Sequence, residues 1–544
     1  MSKVADLGSV GLRPSSSREP IPKGLLIAGL LVCGLTLLPI AYLFVRASGA
    51  DEGSWNLILR SRTIWLVLRS MGLVVAVTSA AIALGLPLAW LTTRTDLPFR
   101  RVWAVVVSLP LVIPSYVGAF ALLAAFGPRG MLQQMLERFG VERLFDISGF
   151  PGAFIALTLF TYPYVYLLVA AGLRGLDPSL EEAAQGLGHS RLRTFFTVTL
   201  PLLRPSVAAG ALLVSLYTLH DFGAVSLMRF PVLTQAIYLQ YKGAFDRTPA
   251  AILSLLLIGL AVLILVVEHR GRGRSRYFRS GAGSARPLAS VPLGKWKWPA
   301  ITFCGAVTFF AFVGPMLVVI FWFVRGIDLG ESARLTWAAA GGSVAVAAFG
   351  ALLAVVAATP IAFLASRYPR HWTKLVERAS YAGYALPGLV VALAFVFFAA
   401  NFTPSIYQSL PLVVIAYVVL FLPQASEPLR TSLLQLGPRI EEAGRALGKT
   451  RIRVFASLVA PLISRGAIAG AALVFLTAMK ELPATLLLRP TGFETLATRV
   501  WTGATAGLYS KAAGPALLLI VICAVPLYLL ARRVEVARME VGAE

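Results

Sequence analysis

The sequence predicts an all-α polytopic membrane protein of about twelve transmembrane helices, arranged as two homologous six-helix halves. Three observations carry this. The 544 residues are 58% hydrophobic and only 14% charged, against roughly 25% charged in a soluble globular chain. Twelve apolar runs have the roughly 20 residues that a spanning helix needs. Finally, the stretch 173–204 recurs without a gap at 433–464, an offset of 260. A repeat of this length points to a duplicated architecture.

Residues 1–24 are polar, basic and rich in Ser and Pro, and read as a cytoplasmic N-terminal leader. The first apolar run, 25–45, is longer than a signal-peptide core and is followed by many others, so it reads as a span. The first half, 25–267, holds spans at 25–45, 66–92, 102–126, 153–173, 205–228 and 251–267. The second half, 299–531, holds spans at 299–324, 337–365, 378–400, 410–429, 466–488 and 512–531. Between them, 268–298 is a basic cytoplasmic linker, Gly-, Ser- and Arg-rich. Residues 532–544 are a cytoplasmic tail.

Orientation follows from the distribution of Lys and Arg. With the N-terminus inside, cytoplasmic segments carry 33 of the 49 and external loops 14. Both termini are therefore expected in the cytoplasm. This asymmetry accounts for the net charge of +24, and no basic surface interleaved with aromatics suggests nucleic acid. The three cysteines lie in separate apolar runs and the four histidines are scattered. Neither set has metal-ligand spacing, and no nucleophile–base pair suggests an enzyme.

Both repeated stretches fall on the cytoplasmic side, between the fourth and fifth spans. In the first, Asp177 suits an N-cap and Pro178 the first helical turn. Glu181 and Glu182 then favour the positive end of the helix dipole. Ala183 and Ala184 present a small surface, Gly188 stops the helix, and Ser190 caps a second helix, 191–199, which Pro201 ends. The second copy repeats the plan with Gly437-Pro438, Glu441, Glu442, Ala443, Gly444, Gly448, Thr450 and Pro461. Each island is expected to be a helix–turn–helix along the membrane surface that docks into a groove on a partner.

These residues resemble the signature loop of permease subunits of ATP-binding-cassette importers. The pattern is Glu-Ala-Ala, three residues, Gly, nine residues, an aliphatic residue, any residue, Leu-Pro. It matches at Glu182, Ala183, Ala184, Gly188, Val198, Leu200 and Pro201. In the second copy it matches at Glu442, Ala443, Gly448, Leu458 and Pro461, and departs at Gly444 and Ala460. The resemblance implies that the islands dock on two copies of an ATPase subunit and transmit its closure. It also implies a periplasmic substrate-binding protein and a bacterial inner-membrane location. The chain itself is expected to bind no cofactor, ATP being held by the partner. Gly444–Thr450 imitates a phosphate-binding loop, but the first glycine of that motif would fall on Ala443.

A second matched set closes the fifth spans: His220-Asp221 with Arg229, and Lys480-Glu481 with Arg489. Ionisable residues within apolar runs are costly and by default functional. Two readings stay open: Asp221 and Glu481 face each other at an external gate of the path, with His220 and Lys480 beside them, or local ion pairs hold helix ends. The stretches around 220–229 and 480–501 look like fused ferric-iron importer permeases, with thiamine and phosphonate permeases similar in plan. An ion-coupled secondary transporter is the competing class, and the doubled island distinguishes them.

Overall fold

The structure, a computed structural model, describes residues 21–140, 144–243, 247–271, 290–331 and 333–541. Most of the N-terminal leader, the central basic part of the linker and the last three residues of the tail lie outside the described residues. Among the described residues, eighteen helices, nine from each half, carry the site, and each αn has its counterpart at α(n+9). The first set is α1 (Lys23–Ser48), α2 (Ser61–Arg94), α3 (Ser115–Phe126), α4 (Phe150–Gly175), α5 (Pro178–Gly186), α6 (Arg191–His220), α7 (Gly223–Leu227), α8 (Leu233–Gly243) and α9 (Thr248–Gly271). The second is α10 (Gly294–Asp328), α11 (Ala333–Arg367), α12 (Gly388–Phe402), α13 (Leu410–Gln435), α14 (Arg439–Ala446), α15 (Arg451–Met479), α16 (Pro483–Leu488), α17 (Leu496–Thr505) and α18 (Tyr509–Val541).

Ten of these are long and apolar enough to cross a membrane. The remaining two expected spans, the third of each half, are broken. Arg100–Val112 and Ser115–Leu136 meet at an 89° bend, and Pro114 stands at the break as the residue before α3. In the second half Pro387 stands before α12 in the same way. Proline removes an amide donor and its ring crowds the preceding turn, so a helix cannot run straight through. Hydropathy reports burial and is blind to such a corner.

The fifth spans also differ from expectation. They stop at His220 and Met479 instead of continuing to 228 and 488, and short helices α7 and α16 follow the breaks. At their other ends, Pro201 and Pro461 do not terminate a helix. A π-turn at Phe195–Thr199 precedes Pro201, and another at Phe455–Val459 precedes Pro461. A third, Phe309–Val313, precedes Pro315 inside α10. The wider i→i+5 turn accommodates the missing donor and the ring, so α6 and α15 run unbroken from island to membrane.

The two sequence halves exchange their first spans. Asn401 Nδ2 donates to Tyr42 Oη on α1 at 3.2 Å, and Tyr42 Oη reaches Phe397 O on α12. Reciprocally, Trp322 Nε1 on α10 donates to Ala124 O on α3 at 2.9 Å. Within each half, α4 packs on α6 through glycine. A Cβ on Gly210 would lie 2.8 Å from the Val165 backbone, and one on Gly470 3.1 Å from that of Ala425.

Candidate functional site

Each island is built as its sequence suggests, with two changes. Asp177 Oδ1 accepts the Ser179 amide at 3.0 Å, and Ser190 and Thr450 accept the amides of Arg193 and Arg453. Gly188 and Gly448 adopt φ of +86° and +78°, the left-handed region where glycine carries no Cβ penalty. Glu182, Ala183, Glu442 and Ala443 are exposed. So are Leu187 and Leu447, at 82% and 81%, and Leu192 and Ile452, at 73% and 83%.

The first change concerns Ala184 and Gly444, which face inward instead of towards a partner. Ala184 is buried. A Cβ on Gly444 would lie 2.8 Å from Leu458 Cδ1 and 3.0 Å from Val454 Cγ2. The first copy has Val198 and Thr194 at those places. Gly444, the departure from the family pattern, therefore makes room for a larger neighbour.

The second change concerns Glu181 and Glu441, which do not merely sit at helix starts. Glu181 is buried, pairs with Arg94 at the end of α2, and accepts from Thr199 Oγ1 at 2.7 Å. Glu441 pairs with Arg367 at the end of α11 at 2.7 Å; Arg367 also donates to Leu433 O and Leu436 O. Sequence reasoning missed these arginines because they lie outside the island. A signal existed: the ends of α2 and α11 repeat at an offset of 273, with Pro87 on Pro360 and Arg94 on Arg367.

On the side opposite the islands, the breaks after α6 and α15 meet the breaks before α3 and α12. Asp221 accepts the amides of Ala224 and Val225, at 2.9 and 3.2 Å, and the Ser115 hydroxyl at the start of α3. Glu481 accepts the Ala484 amide at 3.1 Å and lies against Gly388 at the start of α12. Each carboxylate thus caps a short helix in its own half. Ser115 and Gly388 correspond, so the shorter acid meets a side chain and the longer acid meets bare backbone.

The local ion-pair reading does not describe this arrangement. Arg229 is exposed, and Arg489 donates to Phe493 O and Thr498 Oγ1. Lys480 reaches into the other half, where Nζ donates to Leu111 O at 3.0 Å. Phe222 lies against Trp501 across the same boundary, with centroids 5.0 Å apart and the rings tilted by 36°. His220, the counterpart of Lys480, is half-buried, and its Nε2 has no hydrogen-bond partner among the described residues. Among the described residues no three metal-ligating side chains converge.

A duplicated bundle of spans, with broken helices inside it and a matched island under each half, defines a multi-pass membrane permease. The model of the binding-protein-dependent transport system inner membrane component family matches residues 81–269 and again 350–535, and the chain belongs to that family. The Fe(3+)-transport system permease protein FbpB 2 of Haemophilus influenzae is 34% identical over 511 residues, 93% of this chain and 96% of that protein. The ferric transport system permease protein FbpB of Actinobacillus pleuropneumoniae is 26% identical over 424 residues, 74% of this chain and 61% of its own length. The molybdenum transport system permease protein ModB of Escherichia coli, 32% identical, spans 36% of this chain and 88% of itself. A bacterial ABC transporter that imports alginate overlays 46% of this chain, with 96% of its own covered, at 18% identity and a TM-score of 0.37.

Proposed function

We propose that this chain is the permease of an ABC importer that moves ferric iron from a periplasmic binding protein to the cytoplasm. The full-length similarity to the Haemophilus Fe(3+) permease, over both halves, carries the substrate assignment. One copy of each island per half suits two copies of an ATPase subunit, which bind the ATP; this chain holds no cofactor. The exposed Leu187, Leu192, Leu447 and Ile452 suit an apolar groove on that subunit. Burying each contributes roughly 1.5–3 kcal/mol before the costs of association. ATP-driven closure then rocks the halves by alternating access, with both termini and both islands in the cytoplasm.

Asp221 and Glu481, beside the breaks, offer oxygen ligands to a hard cation in transit. The half-length molybdenum relative supports a second reading, an oxyanion substrate, to which Lys480 is the chemical counterpart. Purification of the tagged chain from native membranes, with metal analysis of the co-purifying binding protein, separates them. Ferric iron on that protein supports the first reading. Molybdate or sulfate replaces it, and recovery of neither ATPase nor binding protein overturns the importer.

A further inference from the structure

We propose that Arg94 and Arg367 are positioning residues that latch the islands to α2 and α11, so that these two helices carry island displacement across the membrane together with α6 and α15, which continue from the islands. The proposal rests on the islands being the ATPase-docking surfaces.

Each latch has two points. Arg94 holds Glu181 on the first island helix. One turn earlier on the same face of α2, Trp90 meets Phe195 on the second, edge-on, with centroids 6.2 Å apart. The second half repeats both. Arg367 holds Glu441 at 2.7 Å, and Phe363 meets Phe455 edge-on at 6.1 Å. Both helices of an island are therefore fixed to one span, and they cannot shift independently of it. The charges are enclosed: Arg94 is 6% exposed and the Glu181 side chain 12%. A buried pair of this kind breaks only at the cost of an uncompensated charge.

The same spans are attached a second time, by a serine hydroxyl about ten residues in from the other end. Near the start of α2, Ser70 Oγ donates to Leu66 O at 2.7 Å and accepts the Leu233 amide, the first of α8, at 3.1 Å. Near the start of α11, Ser343 Oγ donates to Ala339 O at 2.9 Å and accepts the Leu496 amide, the first of α17, at 2.7 Å. The hydroxyl proton satisfies the span's own carbonyl and leaves a lone pair for the next helix. Ser70 and Arg94 stand 24 residues apart on α2, about 36 Å along its axis. Each span thus joins an island at one end to a helix on the opposite side towards the other, twice in one chain.

The test uses Arg94→Gln, Glu181→Gln and the double variant, in the intact transporter in lipid nanodiscs with its ATPase and binding protein. Two quantities are read: substrate moved per ATP hydrolysed, and amide exchange of residues 178–199 in the permease alone. We expect each single variant to lower transport per ATP by about tenfold and to speed exchange in the island. The double variant should be no worse than either single, because the pair acts as a unit. Arg94→Lys should recover part of the coupling. A variant that merely misfolds lowers transport and ATP hydrolysis together and is not recovered by lysine.

Unchanged exchange, or unchanged transport per ATP in the presence of faster exchange, overturns the proposal. Additive losses in the double variant also overturn it. Failure of any ATPase to associate with the wild-type chain would instead sink the importer reading, and the exchange measurement does not depend on that association.

Discussion

The two halves of this chain make the same contacts with different residues. Between α4 and α6, Gly172 meets Ser206; between α13 and α15, Ser432 meets Gly466, with the roles reversed. Ala184 with Thr194 and Val198 becomes Gly444 with Val454 and Leu458. Asp221 with Ser115 becomes Glu481 with Gly388. In each case volume lost on one side of a contact is regained on the other while the identities drift. Close-packed interiors respond to a single methylene, and the constraint acts on the pair and not on either residue.

The ends of α2 and α11 show where the halves have diverged. Chain returning from the linker stitches the first: Val291 N donates to Arg94 O at 2.7 Å, Leu293 N to Asp96 Oδ1 at 2.7 Å, and Lys297 pairs with Asp96 at 2.9 Å. Beside the second lies a cavity of about 1130 Å³, lined by Leu25, Phe363, Arg367, Glu441, Arg451 and Phe455 among others. Linker backbone is tied to the end of α2 beside the first latch, whereas the second lines the cavity.

The largest expected effect comes from breaking a contact with no compensation available. Gly210→Leu and Gly470→Leu drive a side chain into the backbone of α4 or α13, and each should destabilise by about 3 kcal/mol or more. Thermal unfolding in detergent reads this, and equal losses in the two halves are expected. Next, Gly466→Ser places two hydroxyls in one space and should cost about 1–3 kcal/mol. Adding Ser432→Gly recreates the first half's arrangement and should recover most of it. Absence of recovery would show that the exchanges are not coupled.

Gly444→Ala should cost about 1 kcal/mol and be relieved by Leu458→Val, which copies the first island. Asp221→Asn and Glu481→Gln keep the caps while removing the charge. If these carboxylates meet the substrate, each slows uptake about tenfold at normal protein levels; wild-type uptake in both variants confines them to capping. The smallest effect concerns the linker. The Leu293 amide and the Lys297 ammonium hold the Asp96 carboxyl below the usual carboxylate range. Its stabilisation is therefore complete above the unfolded value near 3.9 and is lost as pH falls through the lower folded value. Asp96→Asn should increase protease cleavage near residue 290 at pH 7, and the wild type should approach the variant only in acid.

Much of the site was legible because the chain repeats itself. The caps at Asp177, Ser190 and Thr450, the left-handed Gly188 and Gly448, and the exposed Glu182 and Glu442 all follow from local backbone rules. The errors share a cause as well. Pro201 and Pro461 read as helix stops because a sequence rule assumes an ideal helix, whereas the π-turns before them absorb the proline. Ala184 and Gly444 read as a partner-facing surface because smallness alone does not say which way a residue points.

What the sequence determined by itself was whatever depends on short-range pattern: spans, duplication, island helices and the sites of the charges. Only the tertiary structure decided which charges meet. Arg94 lies 87 positions from Glu181, and Lys480 lies 369 positions from Leu111. Such pairings are set by how helices pack, because contact between distant residues depends on the shape of every helix between them. The exchange of α1 and α10 between halves has the same origin: an apolar span is buried equally well against either neighbour by hydropathy, and complementary packing chooses between them.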